Sequence, residues 1–483
     1  MNDAIPIYKT MLRRLLLALV FTGIFLPSLA RGNAAGVNET YVRFPGGKCL
    51  LYRLQLTDKH GTPYSLSRPE EYLSAKAIDR RKRQGLAIDS TDLPHAPDYL
   101  RSIEAVAGVE IVSKSKWNNT VVVRLKKNNS LKQLASLPFV REAIKVLTAP
   151  DSVKAPTRSL YHEDLEMHKN VPVDHYGQAK DNIDLVNGRS IHDLGYRGRG
   201  MTIAVLDGGF MNVDRIPAFK NVRIVGAHDF VAYPSDDIYR GIDHGTKVLS
   251  IMATNLPGIF VGTAPEAEYW LLRTEDTRSE SLAEEDYWAA AVEYADSLGV
   301  DVISCSLGFQ DFDDNATDHT YDELDGNQAL ISRTASMLAN KGIILVNSVG
   351  NDGMGTWKKI NFPADAKNIL AVGAVNRSRM NSPFSSMGPT QDGRVKPDIM
   401  ALGSATAVIT GRGTVNNYMG TSFAAPIIAG LVASLWQSAP TKTAFEVMDA
   451  ILRSADNYAT PNNVFGYGIP DFHKAFTILR ETR

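Results

Sequence analysis

Short apolar runs alternate with stretches of helical periodicity over the C-terminal two thirds of the chain. Runs with the length and continuity of strands buried on both faces lie at 201–206, 222–225, 268–272, 300–304, 343–347 and 369–375. Stretches with helical periodicity fall between and after them, at 244–255, 284–298, 327–341, 422–437 and 471–479. Strands that alternate with helices predict a mainly parallel sheet covered by helices on both faces, an α/β domain of three layers.

The preceding segment has a different order of elements. Strand patterns lie at 50–56, 109–113, 120–125 and 140–147, and helical patterns at 69–84, 98–107 and 131–137. This β-α-β-β-α-β order is compatible with a small α+β, ferredoxin-like unit. Residues 150–180 are polar, contain Pro150, Pro156 and Pro172 and lack periodicity. We therefore predict an α+β domain at 36–150, a linker at 151–180 and the α/β domain at 181–483.

The first 35 residues have the pattern of a secretory signal peptide. Arg13 and Arg14 precede an apolar run at 15–26, and Ser28 and Ala30 supply the small residues of a cleavage site. The apolar run is short for a membrane span, although an uncleaved N-terminal anchor is the alternative. The pattern predicts export, without distinguishing secretion from a periplasmic or cell-surface location.

Charge and cysteine content narrow the class of protein. The formal net charge of -1 argues against binding to nucleic acid or to an anionic membrane, since both need a basic surplus. The two cysteines, Cys49 and Cys305, fall in different predicted domains and are interpreted as small buried residues. The basic run 80–83 could be a processing site or an anion patch, but a solvated helix end is the favoured interpretation.

Three residues lie in settings that suit acyl transfer. Asp207 follows the apolar run 201–206 and precedes two glycines, which places a carboxylate at the carboxyl end of a strand. His244 opens a predicted helix beside Gly245, and a neutral imidazole can accept and return a proton near pH 7. Ser422 begins another predicted helix, whose free N–H groups favour a developing oxyanion. Each residue alone also fits a turn or a helix cap, so the argument depends on their joint occurrence.

The segment 420–426, Gly-Thr-Ser-Phe-Ala-Ala-Pro, and the order Asp, His, Ser along the chain resemble those of subtilisin-like serine peptidases. The resemblance is to secreted bacterial members that carry an N-terminal prodomain. It implies that Asp207 orients His244, that His244 is the general base, and that Ser422 is the nucleophile. Asn351, in Gly-Asn-Asp-Gly, would then donate to the oxyanion. Ser306, Leu307 and Gly308 resemble the segment that pairs with an extended peptide substrate.

The same resemblance sets expectations for cofactors and partners. No organic cofactor is required; calcium is possible, but the acidic stretch with Asp311, Asp313, Asn315 and Asp322 has Ala316 where a calcium loop needs Gly. Expected partners are protein or peptide substrates and the chain's own prodomain as inhibitor and folding aid, with no nucleic acid and no stable membrane partner. The alternatives are a processing peptidase of narrow specificity and a catalytically silent binding module.

Overall fold

The computed structural model describes residues 41–44, 47–126, 130–154, 174–231 and 237–481, all within one compact unit. The predicted signal peptide at 1–35 lies outside the described residues, as does most of the predicted linker, at 155–173. None of the described helices is both long and apolar enough to cross a membrane.

The described residues 41–154, called the N-terminal domain below, form a small antiparallel sheet with helices on one side. The elements are β1 (Tyr41–Arg43), β2 (Leu50–Leu56), α1 (Ala75–Arg83), α2 (Pro97–Glu104), β3 (Val109–Ser115), β4 (Thr120–Leu125), α3 (Ser130–Ala135), β5 (Val140–Thr148) and β6 (Ser152–Lys154). The sheet order β3-β4-β2-β5, with every pair antiparallel, is that of a ferredoxin-like unit. The predicted order of elements is therefore confirmed.

The described residues from 174 to 481, called the C-terminal domain below, form the predicted α/β layers. The elements are α4 (Lys180–Asp184), α5 (Arg189–Asp193), β7 (Thr202–Asp207), β8 (Arg223–Asp229), α6 (His244–Ala253), β9 (Asn255–Leu256), β10 (Phe260–Val261), β11 (Glu268–Arg273), α7 (Ala283–Leu298), β12 (Val302–Cys305), α8 (Leu330–Met337), β13 (Ile344–Ser348), β14 (Leu370–Val375), β15 (Ile399–Leu402), β16 (Thr406–Ile409), β17 (Val415–Tyr418), α9 (Thr421–Gln437), α10 (Ala444–Ser454) and α11 (Phe472–Glu481).

The central sheet has seven parallel strands in the order β15-β14-β13-β12-β7-β11-β8. In β7, Ile203 and Val205 enter the core shared with α6 and α9, whereas Ala204 and Leu206 enter the core shared with α7 and α8. Successive side chains of a strand point to opposite faces, so a strand covered on both sides must be apolar throughout. This is why the continuous apolar runs predicted the layers.

Helix α7 joins the two domains. The Glu293 carboxylate on α7 accepts hydrogen bonds from the Ser115 hydroxyl (2.5 Å) and from the backbone N–H groups of Lys116 (2.8 Å) and Trp117 (3.1 Å). Burial raises the pKa of Glu293 to about 7, although these hydrogen bonds act to lower it. Arg53 on β2 donates two hydrogen bonds of 2.7 Å to the Asp286 carboxylate, also on α7. The N-terminal sheet thus docks on this helix through charged groups and through an apolar contact at Tyr287.

The interpretation of the basic run 80–83 as a solvated helix end is wrong for its first two residues. Arg80 and Arg81 lie on α1 and are among the largest fully buried side chains, because α1 packs against the C-terminal domain. Lys82 and Arg83 are exposed as expected. A basic run at a helix end is solvated only when that end faces water. The sequence does not show that the C-terminal domain covers this end of α1.

Both cysteines are buried, as predicted, and no disulfide joins them. The Trp288 indole nitrogen of α7 donates to the Cys305 Sγ at 3.3 Å, and burial raises the pKa of this thiol to about 12. A thiol with such a pKa supplies almost no thiolate at neutral pH, and thiolate is the reactive species.

We expect neither thiol to react with a chromogenic disulfide reagent in the native protein at pH 8, and both to react after denaturation in guanidinium. A parallel measurement on Cys49→Ala assigns the signal that remains to Cys305. Rapid reaction of Cys305 in the native state would contradict its placement between α7 and the sheet.

Candidate active site

The candidate residues lie where three neighbouring strands end. Asp207 is the last residue of β7, Ser306 follows β12 directly, and Asn351 comes shortly after β13. Strand addition reverses direction between β7 and β12, since β8 and β11 lie on one side of β7 and β12 to β15 on the other. The carboxyl edge of a parallel sheet at such a reversal is where α/β proteins place their ligands.

Asp207 and His244 form a hydrogen-bonded pair. The His244 Nδ1 lies 2.8 Å from Oδ2 and 3.1 Å from Oδ1 of Asp207, and the Gly208 backbone N–H donates to Oδ1 at 2.8 Å. The Asp207 side chain has no exposed surface, whereas that of His244 is 27% exposed. His244 is the first residue of α6, and the next residue must be small: a Cβ on Gly245 would lie 2.6 Å from the Gly209 carbonyl oxygen.

The charges around His244 act in opposite directions on its pKa. Burial lowers it, but attraction to the Asp207 carboxylate and the hydrogen bond between them outweigh burial. Attraction to Glu275 adds to the rise and repulsion from Lys247 reduces it, so the pKa of His244 is raised above its ordinary value. The imidazolium is thus stabilised, as a general base requires once it has accepted a proton.

Glu275 is a site residue that the sequence analysis missed. It comes two residues after β11 and lies half-buried against Gly208, where a Cβ would overlap its Oε2. Burial, together with repulsion from Asp207, raises the pKa of Glu275 to about 7. The pairing register of β11 with β7 is the signal that places Glu275 in the site, because Arg273 lies opposite Asp207. The residues just after β11 must therefore lie beside that carboxylate.

Ser422 is the second residue of α9, and its side chain is buried beside the end of β12. Its hydroxyl donates to the Ser306 carbonyl at 3.2 Å, and the Ser306 hydroxyl donates to the Ser422 carbonyl at 2.8 Å. In the described part of the chain, Ser422 Oγ makes no hydrogen bond to His244. A proton transfer from this hydroxyl to the imidazole would require the hydroxyl to turn away from the Ser306 carbonyl.

Asn351 is held by the residue before Ser422. Its Oδ1 accepts hydrogen bonds from the Thr421 backbone N–H (2.9 Å) and from the Thr421 hydroxyl (3.1 Å). The amide nitrogen of Asn351 and the backbone N–H of Ser422 have no acceptor among the described residues. Thr421, which the sequence analysis did not single out, thus fixes the amide so that its N–H₂ group stays available.

The segment 306–308 offers backbone groups at the same edge. Leu307 is buried and its carbonyl accepts from the Asn347 side chain at 3.3 Å, while Gly308 is exposed. Within the described residues, the backbone N–H and C=O of Gly308 have no partner. The free backbone groups of this one exposed residue can pair with an extended peptide, and such pairing selects little by sequence.

The acidic stretch 311–325 is largely engaged in internal contacts. The Asp313 carboxylate accepts from the Glu280 backbone at 3.1 Å, Asp314 pairs with Lys145 at 2.9 Å, and Asp318 accepts from Phe312 at 2.6 Å. Among the residues that the structure describes, no group of three or more His, Cys, Asp or Glu side chains could hold a metal ion.

Comparisons with known proteins agree with this geometry. Residues 198–468 match the Subtilase family, Peptidase S8, and residues 51–161 match the Peptidase S8 propeptide domain of Bacteroidota. The chain is 29% identical over 319 residues to Subtilisin NAT of Bacillus subtilis subsp. natto, a match covering 65% of this chain and 74% of the relative.

Two other relatives show the range of the similarity. Subtilisin of Bacillus pumilus is 29% identical over 290 residues, 59% of this chain and 94% of the relative. The membrane-bound transcription factor site-1 protease of Rattus norvegicus is 29% identical over 297 residues, 59% of this chain and 26% of the relative. Since the first family match alone spans more than half of the 483 residues, the chain belongs to the subtilase family of serine endopeptidases and carries an S8 propeptide domain.

Proposed function

We propose that this protein is an exported serine endopeptidase in which Ser422 is the nucleophile, His244 the general base and Asp207 the residue that orients His244. The observation that carries the proposal is the hydrogen-bonded pair of Asp207 and His244 at the sheet edge where Ser422 lies in the first turn of α9. The predicted signal peptide supports export. The free backbone of Gly308 supports extended peptides as substrates, of broad sequence.

The chemistry proceeds through an acyl-enzyme. The Ser422 Oγ attacks the carbonyl carbon of the peptide bond while His244 Nε2 takes the hydroxyl proton, and the carbonyl oxygen becomes an oxyanion. The backbone N–H of Ser422 and the amide nitrogen of Asn351 stabilise this charge. His244 then gives its proton to the leaving amine, and a water molecule hydrolyses the ester by the same steps in reverse.

The buried Asp207 fixes the histidine tautomer. Because Nδ1–H donates to the carboxylate, Nε2 carries the lone pair and can accept a proton from Ser422.

The N-terminal domain is proposed to inhibit the enzyme and assist its folding until it is removed. Its docking on α7 through Ser115, Arg53 and neighbouring groups supports this role.

The first prediction concerns self-processing. The protein expressed without residues 1–35 should lose an N-terminal fragment and be labelled by a fluorophosphonate probe, whereas Ser422→Ala should stay whole and unlabelled. Ser438→Ala, at the other end of α9, is the matched control and should behave like the parent. Intact mass and probe fluorescence over time give both readings. A parent protein that stays unlabelled even after limited trypsin treatment would contradict the proposed activity.

The second prediction concerns the oxyanion. Asn351→Ala should lower kcat by about 10²–10³-fold with little change in KM, the cost established for one oxyanion donor in this enzyme class. Thr421→Val removes one of the two bonds that hold the Asn351 amide and should lower kcat by a smaller factor. Asn315→Ala, in an exposed loop, is the control. Steady-state kinetics on a chromogenic peptide measure all three, and an unchanged kcat for Asn351→Ala would exclude this donor.

The third prediction concerns the acidic limb of the pH profile. Activity needs neutral His244, and the negative charge of Glu275 raises the pKa of His244. Because the pKa of Glu275 is itself about 7, only part of this charge is present at the limb, and Glu275→Gln should move the acidic limb of kcat/KM to lower pH by at most about half a unit. Glu266→Gln, at the opposite end of β11, should leave the profile unchanged. A limb that stays in place or moves to higher pH would show that Glu275 does not act on His244.

A further inference from the structure

The buried arginines of α1 contact the C-terminal domain far from the candidate active site. Arg80 Nη1 donates to the Val300 carbonyl at 2.5 Å and its Nε donates to the Lys341 carbonyl at 3.1 Å. These carbonyls lie just before β12 and β13, at the amino ends of the central strands. Ser422 and His244 lie at the carboxyl ends. Six residues of β7 separate the two edges, about 17 Å at the usual rise of a strand.

The charges at this contact interlock the two domains. The Asp296 carboxylate of α7 accepts a hydrogen bond from Arg80 Nη2 at 2.5 Å on one oxygen and from Arg81 Nη2 at 2.9 Å on the other. Lys341 of the C-terminal domain in turn donates to Asp92 of the N-terminal domain at 3.0 Å. Arg81 also contacts Asp92, at 2.9 Å, which closes the cluster. Each domain therefore supplies both positive and negative side chains, which pair with opposite charges of the other domain.

Burial makes this cluster costly to break. Arg80, Arg81, Asp92, Asp296 and Lys341 are each no more than 2% exposed. Removing one partner of a buried ion pair leaves the other charged and without water, which is far more destabilising than losing a surface pair. The cluster is also shielded from screening by salt, unlike the exposed pairs between the domains.

Close backbone packing accompanies the charges. A Cβ on Gly299 would lie 2.7 Å from Lys76 side-chain atoms of α1, so α1 lies directly against the turn that leads into β12. Gln84, the residue after α1, donates to the Gly342 carbonyl and accepts from the Ala444 backbone N–H, each at 2.9 Å. The contact thus spans the end of α7, the segment before β13 and the start of α10.

We propose that α1 is a second anchor of the N-terminal domain, in addition to its contacts with Asp286 and Glu293 on α7, and that it keeps the domain attached after the chain between the domains is cut. The surface that binds α1 combines the amino edge of the central sheet with the last turn of α7, where the Asp296 carboxylate accepts from two adjacent arginines. This inference rests on the proposed function only in taking the N-terminal domain to be severed during maturation. It also reassigns the run 80–83, whose first two residues are an anchor and are inaccessible to a processing protease while α1 is docked.

The test uses the full chain with Ser422→Ala, so that the result does not depend on catalysis. A recognition sequence for a site-specific protease is inserted between Lys154 and Asp174, the chain is cut there, and the dissociation constant of the N-terminal fragment is measured after dilution by size-exclusion chromatography. We expect Arg80→Met and Asp296→Asn to raise this constant about 10²-fold or more, and Gln84→Ala about tenfold. Lys82→Met, the exposed neighbour on the same helix, should stay within threefold of the parent.

A double-mutant cycle separates a direct contact from general destabilisation. The pair Arg81→Met and Asp296→Asn should weaken retention by much less than the product of the two single effects, since both remove the same interaction. Thermal unfolding of each uncut variant verifies that the variant folds. If a variant of a buried residue does not fold, the dissociation constant of Gln84→Ala decides the test. Dissociation constants within threefold of the parent's for the Arg80, Asp296 and Gln84 variants would overturn the proposal, whether or not the enzyme is active.

Discussion

The Asp207 carboxylate has no exposed surface, and the arrangement of the site depends on the need to satisfy its charge. Removing an ionised carboxylate from water costs several kcal/mol unless other groups replace the water. The Gly208 backbone and the His244 ring supply those groups, which requires α6 to begin at His244 and to approach the Gly209 carbonyl closely. The close approach in turn requires glycine at 245. One buried charge thus fixes a strand end, a helix start and the identity of the residue after the histidine.

The sequence predicted the parts of the fold in which burial alone decides the residue type. Strand β2 and helix α6 were placed to within two residues because apolar periodicity and their flanking residues leave few alternatives. The strands at 399–402, 406–409 and 415–418 and the helix Ala444–Ser454 were not predicted. These strands are four residues each, which is too short for a periodicity to stand out from the surrounding loop.

The candidate site shows the same division. Asp207, His244, Ser422 and Asn351 lie in distinctive local strings, so the sequence alone indicated them. Glu275 and Thr421 do not, because the role of Glu275 depends on which strand pairs with β7, and that of Thr421 on its contact with a residue 70 positions away. Arg80 and Arg81 mark the opposite failure: their composition predicted solvent, and tertiary packing placed them in the interior. Local chemistry is readable from the sequence, whereas contacts between distant segments need the fold.

Helix α7 meets the N-terminal domain through the carboxylates of Asp286, Glu293 and Asp296 and through an apolar patch at Ala283 and Tyr287. The charged and the apolar parts of this interface behave differently when the two domains separate. Exposed apolar patches drive self-association, but exposed carboxylates are readily hydrated. Loss of the N-terminal domain would therefore uncover an acidic ridge along α7 beside a small apolar patch, and the charge of the ridge would oppose self-association through that patch.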